Sequence, residues 1–403
     1  MPADKKVRQT ARERRAQLPW PVVHGAAGSM FVAFGIAYGV VVFFPFVGPE
    51  IGVPEWQLTL LFSLTGGLYM FISAGSGWLT DRFGARPVVA CGMLMLALGL
   101  TMASQAATPL LFALSYVLGV GAGVGLAYVP SSAAVQLHAR EHGALAGGIA
   151  SSGIGFGTMA VPPACGELIS WFGWRGALAV LALLPLAGLL ACRPLRAAPA
   201  LPRAATRNTA SLASARFTVL YLAYVCVGLI AFAPIAAVAP FVLSKGLPGS
   251  EAVALLALVG SGSILGRFGF GYMADHIGAR RASVQCASMI MLSFLLLAME
   301  ESADLVHIGA LLFGLGYGGM TGLTAATTAE VMGEAHFGGT LGVLMTSRAL
   351  GILFGPWCVT LAATELGDFT IPYLVCAALA LVAGILFHME RAPRPGIAAT
   401  PLR

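Results

Sequence analysis

Charge is what this sequence has least of. Asp, Glu, Lys and Arg together make up 10% of its 403 residues, less than half of the roughly 25% that a soluble globular chain carries to face water. That scarcity excludes a string of soluble domains, which the length alone would allow, and it excludes disorder, which needs low hydrophobicity and high charge. The 7 cysteines stand singly in or beside apolar runs, with no C-x-x-C pair and no Cys/His cluster. A disulfide scaffold, a metal centre and a redox motif therefore lack their ligands, and no metal or cofactor is expected. No nucleophile–base pair rises above the apolar background, so the chain does not read as an enzyme. The basic start, Met1 to Gln17, lacks the short apolar core and small-residue cleavage site of a secretory signal.

What is present is apolar: 58% of the residues are hydrophobic and 51 are Gly. A membrane crossing takes roughly 20 mainly apolar residues. Twelve such runs lie at about 21–47, 57–79, 87–106, 109–135, 144–171, 174–194, 216–243, 250–274, 282–300, 306–331, 338–364 and 370–388, called spans 1 to 12 below. They predict an all-α integral membrane protein with twelve transmembrane helices in two six-helix bundles. The expected divisions are a cytoplasmic tail (1–20), an N-terminal bundle (21–194), a cytoplasmic linker rich in Ala, Pro, Ser and Arg (195–215), a C-terminal bundle (216–388) and a second cytoplasmic tail (389–403).

The basic residues test that count, because Lys and Arg collect in cytoplasmic segments. With both termini inside, nineteen of the 23 fall on inner segments, among them Arg82 and Arg86 between spans 2 and 3, and Arg280 and Arg281 between spans 8 and 9. The net charge of +6 thus reports orientation in a cytoplasmic membrane, and no nucleic-acid partner is implied. Arg175 and Lys245 fall outside, and Arg267 and Arg348 fall within spans.

The two halves repeat. Phe44-Pro45-Phe46 recurs as Ala239-Pro240-Phe241, the Gly-rich stretch around Gly121 recurs around Gly316, and Pro163 recurs as Pro356, all at offsets of 193 to 195 residues. The most specific match is Gly77-x-x-x-Asp81-Arg82-x-Gly84-x-Arg86 against Gly271-x-x-x-Asp275-His276-x-Gly278-x-Arg280-Arg281, 194 apart. Parallel repeats of this kind are a transporter architecture. In each loop a Gly suits a tight turn and close backbone approach. The Asp can accept from the free amides of a helix start, and the Arg can pair with the neighbouring bundle or with headgroups.

With its twelve spans, 6+6 repeat, linker and paired loops, the chain resembles the major facilitator superfamily over nearly its whole length. The resemblance implies two bundles around a central cavity that opens alternately to either side, with the two loops as gating elements. Pro87 replaces the final basic residue of the first loop, and His276 follows the Asp of the second.

The most informative residues are the two Arg within spans. At about 1.5 Å per residue each lies some 12–15 Å from the inner edge, near the midplane, where an Arg costs roughly 2.5–3.5 kcal/mol. No carboxylate of the sequence falls at that depth; Glu167 in span 5 lies close to the outer end. The repeat places Ser73 and Ile154 at the corresponding positions of the first half, so the architecture does not require cations there. Buried cations without a resident anion point to an anionic substrate, and a guanidinium fork suits a carboxylate. The competing reading is structural, with both Arg bonded to carbonyls, hydroxyls or aromatic faces.

Within the superfamily these segments resemble the monocarboxylate porter group, including its oxalate:formate exchanger branch. The residues that carry this are Gly266-Arg267-Phe268-Gly269-Phe270-Gly271 in span 8, Met345-Thr346-Ser347-Arg348 in span 11, and the small-residue run Leu145 to Gly153 in span 5. The group's helix 8 Asp, one turn before the Arg, is Ser263 here, and its span 1 Lys is absent. Exchange, uniport and proton symport through another relay therefore stay open.

The expected site is Arg267 as principal anion ligand, Arg348 as a second cation or gate, and Tyr128, Tyr38, Ser263 and Tyr317 around them. His24 is the histidine best placed for a proton relay. The function expected is secondary active transport of small organic carboxylates, mono- or dicarboxylate, by a monomer in contact with membrane lipid, coupled to protons or a counter-anion. Alternatives are export of drugs or other hydrophobic compounds, which usually wants a membrane-embedded carboxylate, and a non-transporting membrane sensor.

Overall fold

The computed structural model describes residues 18–53, 55–139, 142–195, 212, 214–238, 241–242, 246, 251–299, 302–333 and 336–389. Both tails and nearly all of the expected linker lie outside these residues, as do Arg140 and Lys245.

Every regular element among the described residues is helical. Among the described residues eleven helical runs are long and apolar enough to cross a membrane, one fewer than the sequence predicts, because spans 5 and 6 form one run, Gly143–Ala191. Its 49 residues would stretch about 73 Å as one straight helix, more than twice a bilayer core of about 30 Å. Gly173 resolves this: its φ of 65° and ψ of 172° break the helix in a region that only Gly enters without strain. Two spans follow from one run, and the twelve-helix architecture stands.

Spans 1 and 7 are interrupted for a different reason. Span 1 runs as Trp20–Gly39, tightens to a 3-10 turn over Val40–Phe43 and resumes as Phe44–Ile51. Pro45 cannot donate to the carbonyl four residues back, so the turn before it loses regular α geometry. Span 7 stops at Ala231 and bends at Phe232, two residues before Pro234. Phe232 lies 194 residues after Tyr38, so the breaks fall at matching places in the two halves.

Lipid cannot supply a hydrophobic drive between helices, so close packing through small residues must hold them. Gly99 and Gly119 of spans 3 and 4 meet backbone to backbone, as do Gly266 and Leu315 of spans 8 and 10. Large apolar side chains such as Leu94, Leu98, Leu118, Leu265, Leu292 and Ile385 are turned outward. The first half packs as one buried cluster and the second as two. Phe337, Leu341, Met345 and Ala349 of span 11 belong to the first half's cluster, so span 11 ties the halves together.

Candidate functional site

The two halves meet most closely on the side that carries the 2–3 and 8–9 loops, here the basic side. Asp81, in the last turn of span 2, accepts hydrogen bonds from the amides of Gly338 (3.0 Å) and Gly339 (2.7 Å) at the start of span 11. Asp275, its counterpart in span 8, accepts from Ala144 (3.1 Å) and Leu145 (3.4 Å) at the start of span 5. Each carboxylate thus crosses between halves to a helix N-terminus, where free amides and the helix dipole favour an anion. His142 Nδ1 stands 3.6 Å from Asp275.

The glycines permit this approach. A methyl on Gly77 would lie 1.9 Å from the Gly338 carbonyl oxygen, and one on Gly271 would lie 3.0 Å from that of Ala144. Gly84 and Gly278, which close the two loops, have φ of 87° and 93°. The loop Arg residues behave otherwise than expected for contacts across the halves. Arg82 lies over the rings of Trp78 (5.6 Å) and Phe83 (5.1 Å) in its own span. Arg280 donates to the carbonyl of His388 (2.9 Å) at the end of span 12, within its own half. Arg86 and Arg281 are exposed.

Deeper in, spans 5 and 8 cross at Arg267. A methyl on Gly148 would stand 2.2 Å from the Arg267 carbonyl oxygen, so only a Gly tolerates this crossing. The guanidinium is buried and donates through Nη1 to the Oγ (2.6 Å) and backbone oxygen (3.2 Å) of Ser263, one turn earlier. The same Nη1 reaches across to Gly155 of span 5. Arg348 lies at similar depth in span 11, donates through Nη2 to Thr324 Oγ1 (3.1 Å), and stands 5.0 Å over the Tyr224 ring. Among the described residues neither Arg pairs with a carboxylate, and the Nε of each is buried without a hydrogen-bond partner. Part of the structural reading therefore holds, since both guanidiniums rest on neutral groups. These three bonds do not satisfy the ten N–H donors of two guanidiniums.

Between them lies a narrow cleft with room for little more than a water molecule, lined from the first half by Tyr128, Ser132 and Ser151 and from the second by Thr321, Gly322 and Thr324. Gly322 borders the Arg267 side chain, and Thr324 is the acceptor of Arg348, so the cleft joins the two cations. Tyr128 is close enough to interact electrostatically with both. Tyr38 and Tyr317 come within the same range of Arg267 and of one another, though neither lines the cleft. Of the six site residues expected from the sequence, Ser263 bonds Arg267, Tyr128 lines the cleft near both Arg residues, and Tyr38 and Tyr317 come within electrostatic reach of Arg267 without a described contact to it. Tyr224 and Thr324, the partners of Arg348, were not among those expected. His24, expected as a relay, is exposed and stacks on Trp20 at 5.4 Å.

Two helical halves locked through paired Asp–helix contacts around a polar central cleft define a polytopic membrane transporter. The chain belongs to the Major Facilitator Superfamily, whose family model matches residues 26–356 and 220–401. It is similar to monocarboxylate transporter 11 of Homo sapiens, with 27% identity over 382 residues, 90% of this chain and 81% of that protein. Monocarboxylate transporter 3 of Rattus norvegicus is 27% identical over 380 residues, 89% of this chain and 77% of that protein. The fold is that of the proton:xylose symporter XylE, at a TM-score of 0.76 and 13% identity, covering 93% of this chain and 96% of that one. These relatives are named as transporters.

Proposed function

We propose that this protein carries small organic carboxylate anions across the cytoplasmic membrane by alternating access, with both tails inside. The observation that carries the reading is Arg267: a buried guanidinium at the crossing of the two halves, with no described carboxylate partner and with Nε unpaired. An entering carboxylate supplies the missing charge and acceptor, and bidentate pairing suits the guanidinium fork. Arg348 adds a second positive charge within electrostatic reach of Tyr128. The likeness to proteins named monocarboxylate transporters supports the same class.

The described arrangement corresponds to the state closed on the basic side. Asp81 and Asp275 hold it, and binding lowers the cost of leaving it by neutralising the buried charge that both halves surround. The cycle runs as symport with a proton or as exchange against a second anion. Purified protein screened against some tens of carboxylates by thermal shift tests the proposal, since a ligand of the native state raises apparent stability. Stabilisation by carboxylates and not by the matching amides is expected. Stabilisation by neither contradicts it.

A further inference from the structure

Resting on the reading of Arg267 as an anion site, we infer that the favoured substrate is a monocarboxylate with an aromatic body, held by that body between two aromatic pairs. One pair belongs to each half. Tyr38 of span 1 meets Phe62 of span 2 edge to face, with ring centroids 6.0 Å apart. Phe232 of span 7 meets Tyr317 of span 10 in the same manner at 6.2 Å, and Tyr317 stacks on Phe313 at 5.7 Å. Tyr38 and Phe232 stand at equivalent positions of the repeat, Tyr38 two residues before its span tightens and Phe232 at the bend of its own. Each half therefore carries one ring of the repeat, Tyr38 or Phe232, paired with a second ring from a neighbouring span.

No described ring contact joins the two pairs. Among the described residues every ring contact lies within one half, yet Tyr38 and Tyr317 are close enough to interact electrostatically with each other and with Arg267. Tyr38, Phe62, Phe232 and Tyr317 are all only partly buried, unlike the sealed core rings Phe112, Phe294 and Phe313. No hydrogen bond joins the hydroxyl of Tyr38 or Tyr317 to another described group, which leaves both as donors to a bound anion. Apolar ring faces beside one cation and two hydroxyls fit a flat apolar body ending in a carboxylate.

The other cation argues for one anionic end. Tyr38 and Tyr317 lie within electrostatic reach of Arg267, whereas Arg348 rests on Tyr224 and Thr324 of spans 7 and 10. A ligand seated on the rings therefore places one anionic end at Arg267.

Binding of phenylacetate, acetate, succinate and phenylacetamide to the purified full-length protein tests this. Phenylacetate is expected to bind about tenfold or more tighter than acetate, the order that burying an aryl face provides. Phe62→Leu and Phe232→Leu, which remove ring faces and no hydroxyl, should remove most of that preference while acetate affinity holds, and the retained acetate binding shows that the variants are folded. Tyr38→Leu loses a hydroxyl donor as well as a ring and should weaken both ligands. Acetate binding as tightly as phenylacetate, or succinate binding tighter than both, overturns the aromatic inference and leaves the carboxylate reading intact. Phenylacetamide binding as tightly as phenylacetate overturns the carboxylate reading itself, and this inference with it.

Discussion

Adding one methyl at Gly77 should move the protein out of the state closed on the basic side. That methyl would lie 1.9 Å from the Gly338 carbonyl oxygen and 2.6 Å from the carbonyl carbon, where ordinary contact begins near 3.4 Å. The shortfall is about 1.5 Å against backbone, which cannot rotate away as a side chain would. Overpacking of this kind costs typically 1–3 kcal/mol. The clash exists only where spans 2 and 11 touch, so Gly77→Ala raises that state and leaves one with parted helices unaffected. The equilibrium should shift by a factor of about 5 to 150. The amides of Gly338 and Gly339 that bind Asp81 are adjacent, so the same displacement lengthens the latch. A single cysteine at Ser73, fully buried beside Gly342 of span 11, reports the change in a background without the native cysteines. Its labelling by a hydrophilic maleimide should accelerate at least fivefold in Gly77→Ala. An unchanged rate in protein that melts like the parent would refute the reasoning.

Other expectations follow from the same geometry. Asp81→Asn and Asp275→Asn each replace charge-assisted bonds by neutral ones of about half the strength, so each should speed Ser73→Cys labelling, with a larger effect in the double variant. Thr324→Val leaves the Nη2 of Arg348 without its acceptor and should lower stability by about 1–3 kcal/mol, read as a fall in melting temperature. Gly173→Ala places a side chain in a conformation costing of order 1–3 kcal/mol, and its melting temperature should fall without any change in substrate preference.

Much of this was legible from one dimension. Apolar run length gave the spans, because a bilayer sets one length for all of them. The repeat exposed Asp81 and Asp275, because equivalent positions in the two halves make equivalent contacts. The Arg267–Ser263 bond follows from a spacing of four on one helix face. Arg82 over Trp78 has the same spacing and was legible, although the sequence reading sent that Arg to other partners. The partners of Arg348 were not legible: Tyr224 and Thr324 lie on spans 7 and 10, and no spacing along the chain relates helices that meet only in the bundle. Neither were the Tyr38–Phe62 and Phe232–Tyr317 contacts, which join residues of different spans. Spans 5 and 6 follow one another with no loop between them because Gly173 turns the chain at a single residue, which apolar length alone does not reveal.

The central claim is that Arg267 is the anion site of a carboxylate carrier. Uptake of labelled acetate, lactate, phenylacetate and succinate into liposomes holding the purified protein, its Arg267→Ala variant or its Arg267→Lys variant tests it most directly. The account predicts uptake of at least one of these by the parent, a fall to the protein-free background in Arg267→Ala, and partial recovery in Arg267→Lys, which keeps the charge and loses the fork. Carboxylate uptake at the parent rate by Arg267→Ala would contradict it.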